Sequence, residues 1–220
     1  VTKMADKRKK LIILILVLMV ATLASIGCYY WYKNAYFVTT EDAKVAGDLV
    51  SVSPQISGKL LELNVEQGDK VIKNQILGRQ GMSGTQETNI DQSVFRAPID
   101  GIVIKKQGTV GEFITAGQTV AVLVDPDKLY INANIEETKL TKIEEGQQVD
   151  ISIDQYSDRT FTGKVKYVGQ ASNSAFALLP TSTSGTFTKV IQKVPVKIEF
   201  DKKDAPLLPG TNAIVKIHIK

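Results

Sequence analysis

Nucleophilic and metal-assisted chemistry need side chains that can converge, and this chain offers few of them. It contains one histidine, His218, and one cysteine, Cys28. Because Cys28 lies in a long apolar run, neither a Cys/His dyad nor a Cys/His zinc set can be assembled. The acidic pairs Glu41/Asp42, Glu136/Glu137 and Glu144/Glu145 are sequence neighbours. Neighbours do not bring two carboxylates onto one substrate, as general acid–base catalysis requires. They read as solvated faces, and His218, on the polar side of the last alternating run, reads as a solvated histidine. No GxxxxGK[ST] phosphate loop is present. The expectation is a protein that is not an enzyme and has no catalytic, cofactor or metal residues.

One covalent chemistry fits the pattern better and fails on a single residue. Gln55 to Leu77 recurs as Pro98 to Val120 at a constant offset of 43, without a gap. Ile56 falls on Ile99, Gly58 on Gly101, Gly68 on Gly111 and Gln75 on Gln118, and apolar positions coincide at Leu60/Val103, Val71/Ile114 and Leu77/Val120. Each copy reads as strand, turn, strand, too short to bury a core alone. Two halves packed face to face would make one small β-sandwich, which is how a lipoyl- or biotinyl-type domain is built. Gly58, Gly68, Gly101, Gly111 and Gly117 read as its structural turns. A swinging-arm carrier needs a lysine at the hairpin joining the halves, yet no lysine lies between Lys73 and Lys105, and Arg79 and Arg96 cannot form the amide. Neither lipoate nor biotin is expected.

These elements must be placed somewhere, and the N-terminal region states where. Leu11 to Tyr32 carries no charge, and as a helix it would be about 33 Å long, against roughly 30 Å of hydrocarbon. Lys7, Arg8, Lys9 and Lys10 in front of it predict a cytoplasmic tip, and Tyr29, Tyr30, Trp31 and Tyr32 suit the opposite interface. The bulk of the chain is then extracytoplasmic. The competing readings are a cleaved signal peptide with Leu11 to Ala24 as its apolar region, or a lipoprotein processed at Cys28; against the latter, Ser25 stands where Leu is usual, and the apolar run continues into the aromatic girdle. The formal charge of +4 is already reached in the first ten residues, so the remainder is neutral. That removes the electrostatic footprint of nucleic-acid binding.

Beyond the duplication the period is two, as in half-buried strands. Leu129, Ile131, Ala133 and Ile135 alternate with polar residues, as do Val149, Ile151 and Ile153; Phe161, Gly163, Val165 and Tyr167; Val194, Val196, Ile198 and Phe200; and Ala213, Val215, Ile217 and Ile219. These predict a small antiparallel barrel. Pro195 argues for an edge or irregular position. A further strand around Ala43 to Val52 predicts a discontinuous barrel with the sandwich inserted after its first strand. Glu136 to Ile143 is the one helical candidate, stopped by Gly146. Ser172 to Thr188 reads as a long loop whose Phe176, Leu178, Leu179 and Phe187 are either a plug under the barrel or docking residues.

Anchor, split sandwich and barrel occur together with four stretches: Pro54-Gln55-Ile56-Ser57-Gly58, Arg96-Ala97-Pro98-Ile99-Asp100-Gly101, Ala133 to Leu140, and Gly185 to Ile198. On these, the chain closely resembles the membrane fusion proteins, or periplasmic adaptors, of the HlyD/EmrA type, and the last stretch resembles the EmrA branch. The resemblance implies a mainly β fold, with an N-terminal transmembrane helix and a split lipoyl/biotinyl-like sandwich inserted in a small antiparallel β-barrel. It divides the chain into a basic tip (1–10), a transmembrane helix (11–32), a linker and first barrel strand (33–52), a lipoyl-like domain (halves 53–77 and 96–124, connecting loop 78–95) and a barrel (125–220). It implies a homo-oligomeric scaffold in an efflux system, partnered with an inner-membrane transporter of the major-facilitator type. One departure matters, because such adaptors usually carry a long α-helical hairpin between the lipoyl halves, and Gly78 to Phe95 would give arms of only about 10 Å each. A TolC-like outer-membrane partner is therefore not expected, which fits a cell with a single membrane or an engineered deletion. The alternative from another class is an extracytoplasmic ligand-binding or envelope-structural module with an unmodified lipoyl-like domain.

Overall fold

A computed structural model describes residues 2–82, 90–172 and 191–219. Helix α1 (Thr2–Tyr36) is a single 35-residue element. Its apolar stretch Leu14–Tyr36 has no part buried against the rest of the protein. By length and composition this stretch is enough to cross a bilayer. The helix takes in the basic tip and continues through residues 33–36, so no linker separates it from the barrel: strand β1 (Phe37–Ala46) begins at the next residue.

The barrel closes in the order β1, β10 (Tyr130–Glu136), β13 (Lys193–Phe200), β12 (Thr160–Val168), β11 (Gln148–Ile153), β14 (Asn212–His218) and back to β1. Every pairing is antiparallel. Closure leaves no unpaired strand edge, and the period-two residues point inward as expected: Ile131, Ala133, Val149, Ile151, Val196, Ile198, Val215 and Ile217 are fully buried.

Register corrects one local reading, at Tyr167, narrows another, at Pro195, and adds a slip in β1. Tyr167 was expected inside with Phe161 and Val165, but β12 slips against β13 between Val165 and Tyr167, and the extra residue turns the ring outward, 48% exposed. A bulge reverses inside and outside along a strand. A second slip, between Thr40 and Ala43 of β1, lets Val38 as well as Ala43 and Val45 face the core despite their odd spacing. Pro195 has no edge strand, since β13 lies between β10 and β12. Its carbonyl accepts from Gly169 N–H at 2.9 Å, just beyond the end of β12. A strand residue's N and C=O face the same side, so the missing N–H points toward Gly169, just past the regular ladder, which is the irregular position a proline tolerates.

The strand expected over Ala43 to Val52 is two strands in different domains. β1 ends in the barrel at Ala46, and β2 (Leu49–Val52) belongs to the sandwich. Gly47 stands at the crossing, where a Cβ would lie 2.6 Å from Leu129 Cδ2 and 2.7 Å from Val124 Cγ2. The returning chain crosses beside it through a short 3-10 turn, Pro126–Lys128, whose N-terminus is capped by Asp125 accepting from Asp127 N–H at 2.9 Å.

The sandwich comprises two four-stranded sheets. One runs β2, β9 (Ala121–Val124), β7 (Gly101–Lys106), β4 (Lys70–Val71); the other runs β6 (Val94–Arg96), β5 (Ile76–Met82), β3 (Gly58–Leu63), β8 (Phe113–Ile114). The sequence halves therefore do not form one sheet each and stack. They interdigitate, each sheet drawing two strands from either half, and the 43-residue offset maps one sheet onto the other. The expected connecting loop 78–95 is largely structured: β5 continues to Met82, and a helical turn α2 (Ile90–Ser93) leads into β6, with Phe95 in the core. The helix predicted over Glu136 to Ile143 is a single turn, α3 (Glu137–Leu140).

Candidate functional site

The duplication is legible down to single hydrogen bonds, which explains why its matched residues are what they are. Gly68 N–H donates to Val103 O at 2.8 Å and Gly111 N–H to Leu60 O at 2.7 Å, the same bond 43 residues on. Gln75 and Gln118 each turn a side-chain oxygen back to the N–H three residues earlier, Ile72 at 3.0 Å and Thr115 at 3.2 Å. Gly68, Gly111 and Gly117 have φ of 99°, 95° and 82°, a region other L residues enter only at a cost. Gly58 and Gly101 do not form turns: they open β3 and β7, and their constraint is close approach. A Cβ on Gly58 would stand 2.1 Å from Gly81 O, and one on Gly101 2.5 Å from Val124 O.

At the other end of the molecule, side chains from four elements gather where α1 meets the barrel. Tyr29, Tyr30, Trp31 and Tyr32 remain exposed on α1. From there an aromatic chain leads into the barrel: Tyr32 lies 4.6 Å from Tyr36 and 6.3 Å from Phe37, and Phe37 meets His218 edge-on at 5.0 Å. Tyr36 O accepts from Ile219 N–H at 3.0 Å, tying the end of the helix to the end of the chain's last strand. His218 is thus not simply solvated. It is half-buried, with Nε2 2.8 Å from Asp150 Oδ2, and Lys216 Nζ lies 3.9 Å from the Phe37 ring.

Beside this junction lies a groove of about 720 Å³ between β1, β10 and the start of β13. The bulge in β1 turns Asp42 into it, where the carboxylate accepts from Lys193 Nζ at 2.7 Å and Asn134 Nδ2 at 3.0 Å. These bonds, with the Lys193 and Lys44 charges, hold its carboxyl below the ordinary aspartate range against an opposing desolvation. Thr40 Oγ1 donates to Asn134 O at 3.0 Å, so the irregular stretch of β1 is tied to β10 through side chains. The sequence places Asp42 on a solvated face and does not single out Lys193; the structure pairs the two. They are 151 residues apart, and only barrel closure makes them neighbours.

A second polar cluster braces the two crossings between barrel and sandwich. Tyr130 Oη donates to Asp48 Oδ1 at 3.5 Å, Lys197 Nζ lies 3.8 Å from the Tyr130 ring, and Lys203 Nζ donates to Asp127 O. Burial pushes the Tyr130 phenol up, with Asp48 adding to it, and pushes the Lys203 ammonium down.

Two of the acidic pairs meet at the groove between β1 and β10, which Glu41, Asp42 and Glu136 all line, but Glu136 is paired with Lys139 at 2.8 Å and Asp42 with Lys193 at 2.7 Å. Among the described residues no three His, Cys, Asp or Glu side chains are grouped as metal ligands. Phe176, Leu178, Leu179 and Phe187 lie outside the described residues, as do the side chains of Lys7, Arg8, Lys9 and Lys10.

Comparison with known proteins matches both domains in turn. Residues 48–126 match the family described as RND MFP, barrel-sandwich hybrid domain, and residues 129–217 the YknX-like beta-barrel domain. The chain is 39% identical over 186 residues to the putative efflux system component YhbJ of Bacillus subtilis (strain 168), covering 84% of this chain and 81% of that protein. It is 33% identical over 136 residues to the multidrug export protein EmrA of Haemophilus influenzae, covering 60% of this chain but 35% of EmrA, so it spans only about a third of that relative's length. The solved structure of the periplasmic adaptor protein EmrA superposes with a TM-score of 0.59 at 16% identity, over 83% of this chain and 98% of that one.

Proposed function

The chain belongs to the membrane fusion proteins of the EmrA type, and on that basis we propose that it is the membrane-anchored adaptor of an efflux system, scaffolding an inner-membrane transporter of the major-facilitator type. The observation that carries this reading is the seamless passage from α1 at Tyr36 into β1 at Phe37. A barrel joined to an apolar helix with no spacer stands at the membrane surface, within reach of the outer face of a transporter. α1 runs N-terminus inside, in line with its basic tip and aromatic end, and the sandwich extends the exit path or packs against neighbouring copies. The site acts by binding and positioning, and transport energy is supplied by the partner.

Reach limits the assembly. Between Met82 and Ile90 stand seven residues, about 10 Å even if wholly helical, so the adaptor works without a TolC-like channel. Phe176, Leu178, Leu179 and Phe187 form the docking element toward the transporter or a second copy.

The test is co-purification of the full chain with the major-facilitator transporter encoded beside its gene. A stable complex is expected, weakened by the double substitution Phe176→Ser and Leu179→Ser without loss of barrel stability. No complex with the wild-type chain overturns the adaptor reading. A collapse of thermal stability in the double variant makes those residues core instead.

A further inference from the structure

A second groove, of about 420 Å³, opens between the last turns of α1, the start of β1 and the segment that follows α3. Its walls are Tyr30, Phe37 and Val38, and its polar lining is Lys33, Asn34, Thr39, Lys139 and Lys142. No carboxylate lines it. Lys139 is engaged by Glu136. Among the described residues Lys33 and Lys142 form no ion pair, and Lys142 Nζ reaches the Asn34 carbonyl at 3.5 Å. The groove therefore presents cationic donors at its mouth beside two aromatic walls, a combination that suits an anion carrying an apolar tail.

Its depth identifies the anion. The apolar stretch of α1 ends at Tyr36 and its aromatic girdle at Tyr32. Aromatic side chains of this kind sit at headgroup level, so Lys33 and Asn34, one and two residues further, lie among the phosphates. Lys139 and Lys142 are brought to the same level by the barrel, more than 100 residues away in sequence. We propose that this groove binds the phosphate headgroup of an anionic phospholipid, with Tyr30 and Phe37 against its glycerol and upper acyl chain. The bound lipid would seat the barrel on the membrane and set its rotation about α1. This rests on α1 being a membrane anchor.

The probe is phosphatidylglycerol against phosphatidylcholine. The full chain is extracted in detergent from vesicles holding both lipids in equal amounts, and retained lipid is read by native mass spectrometry. One retained phosphatidylglycerol, preferred about tenfold, is expected from two unpaired lysines near an anionic surface. The Lys33→Gln/Lys142→Gln variant should lose that preference while keeping its thermal midpoint. Equal retention of the two lipids by the wild-type chain, or an unchanged preference in the variant, overturns the proposal. Millimolar inorganic phosphate separates the sources: displacement of the lipid by phosphate alone would make this a free-phosphate site and also overturn it. Release of the protein from vesicles by an alkaline carbonate wash without detergent would instead count against the anchor on which the proposal stands.

Discussion

Gln80 shows what the duplication makes measurable at a single residue. It is 2% exposed in the sandwich core, and among the described residues its Nε2 donates at 3.4 Å to Gly58 O and Ile114 O while its Oε1 has no partner. Forty-three residues on, the equivalent position is Leu123, fully buried. The core thus already accepts Leu in its other half. Gln80→Leu should stabilise the protein by about 1 kcal/mol, because it removes an unsatisfied buried acceptor at the loss of two long hydrogen bonds, and should raise the thermal midpoint by about 3 °C. A lowered midpoint in calorimetry would show that the amide is needed. Asp42 gives a prediction with a sign. Its folded-state carboxyl is held below the ordinary aspartate value of 3.8, chiefly by the Lys193 and Asn134 hydrogen bonds. Its contribution is therefore present above that value and lost as pH falls through the folded-state value beneath it. The side chain is 39% exposed, so solvent screening keeps the effect small. The midpoint advantage of wild type over Asp42→Asn should hold at neutral pH and shrink below pH 3.8. A difference that stays constant through that range would remove the carboxylate from the argument.

At the level of the element, the sandwich glycines separate into two mechanisms. Gly58 and Gly101 begin equivalent strands, and a methyl group on either would strike a backbone oxygen, at 2.1 and 2.5 Å. Backbone cannot swing away like a side chain, so Gly58→Ala and Gly101→Ala should each cost about 2 kcal/mol or more. Gly68, at φ 99°, faces open space. Gly68→Ala should cost only the left-handed penalty, about 1 kcal/mol. Denaturant titration of the three variants tests the ordering; equal losses would mean that strand-opening glycines are not set by packing. The same logic limits changes to the connection between halves. Met82 is paired with Gly58 in β5, so a deletion sparing the sheet must remove 83–86 and leave Met82 in place. That deletion should leave both folding and transporter association intact.

For the whole molecule, helix, barrel and sandwich follow one another along the chain, and the barrel is entered directly from the apolar helix α1. Among the described residues there are two core clusters, one in the barrel and one in the sandwich, with Val124 of the sandwich sheet packed into the barrel's. If α1 crosses with its basic end inside, protease added outside spheroplasts should degrade barrel and sandwich and leave a membrane-embedded fragment containing Lys7 to Tyr32. Protection of the barrel in intact spheroplasts, with cleavage only after lysis, would reverse the topology.

The sequence by itself determined most of what depends on local pattern, although the helix over Glu136 to Ile143 is one turn and the strand over Ala43 to Val52 is two. An uncharged run long enough for a bilayer, strands of period two and a copied stretch at constant offset are one-dimensional signals, and each corresponds to an element: α1, the barrel strands with their inward-facing Ile151, Ile198 and Ile217, and the two sheets of the sandwich. The four stretches from Pro54 to Ile198 were likewise enough to place the chain among the adaptors. What escaped were features produced by pairing between distant segments. The bulges that turn Asp42 into its groove and Tyr167 outward are register slips against partner strands, and no pattern within β1 or β12 contains the partner. Interdigitation of the halves is a choice of hydrogen-bonding neighbours that the offset leaves open. Lys193 beside Asp42, Lys142 beside Asn34 and Asp150 beside His218 are pairs whose members are far apart along the chain. Polar partners attract at any sequence separation, and only closure of the barrel onto the end of α1 decided which of them would meet.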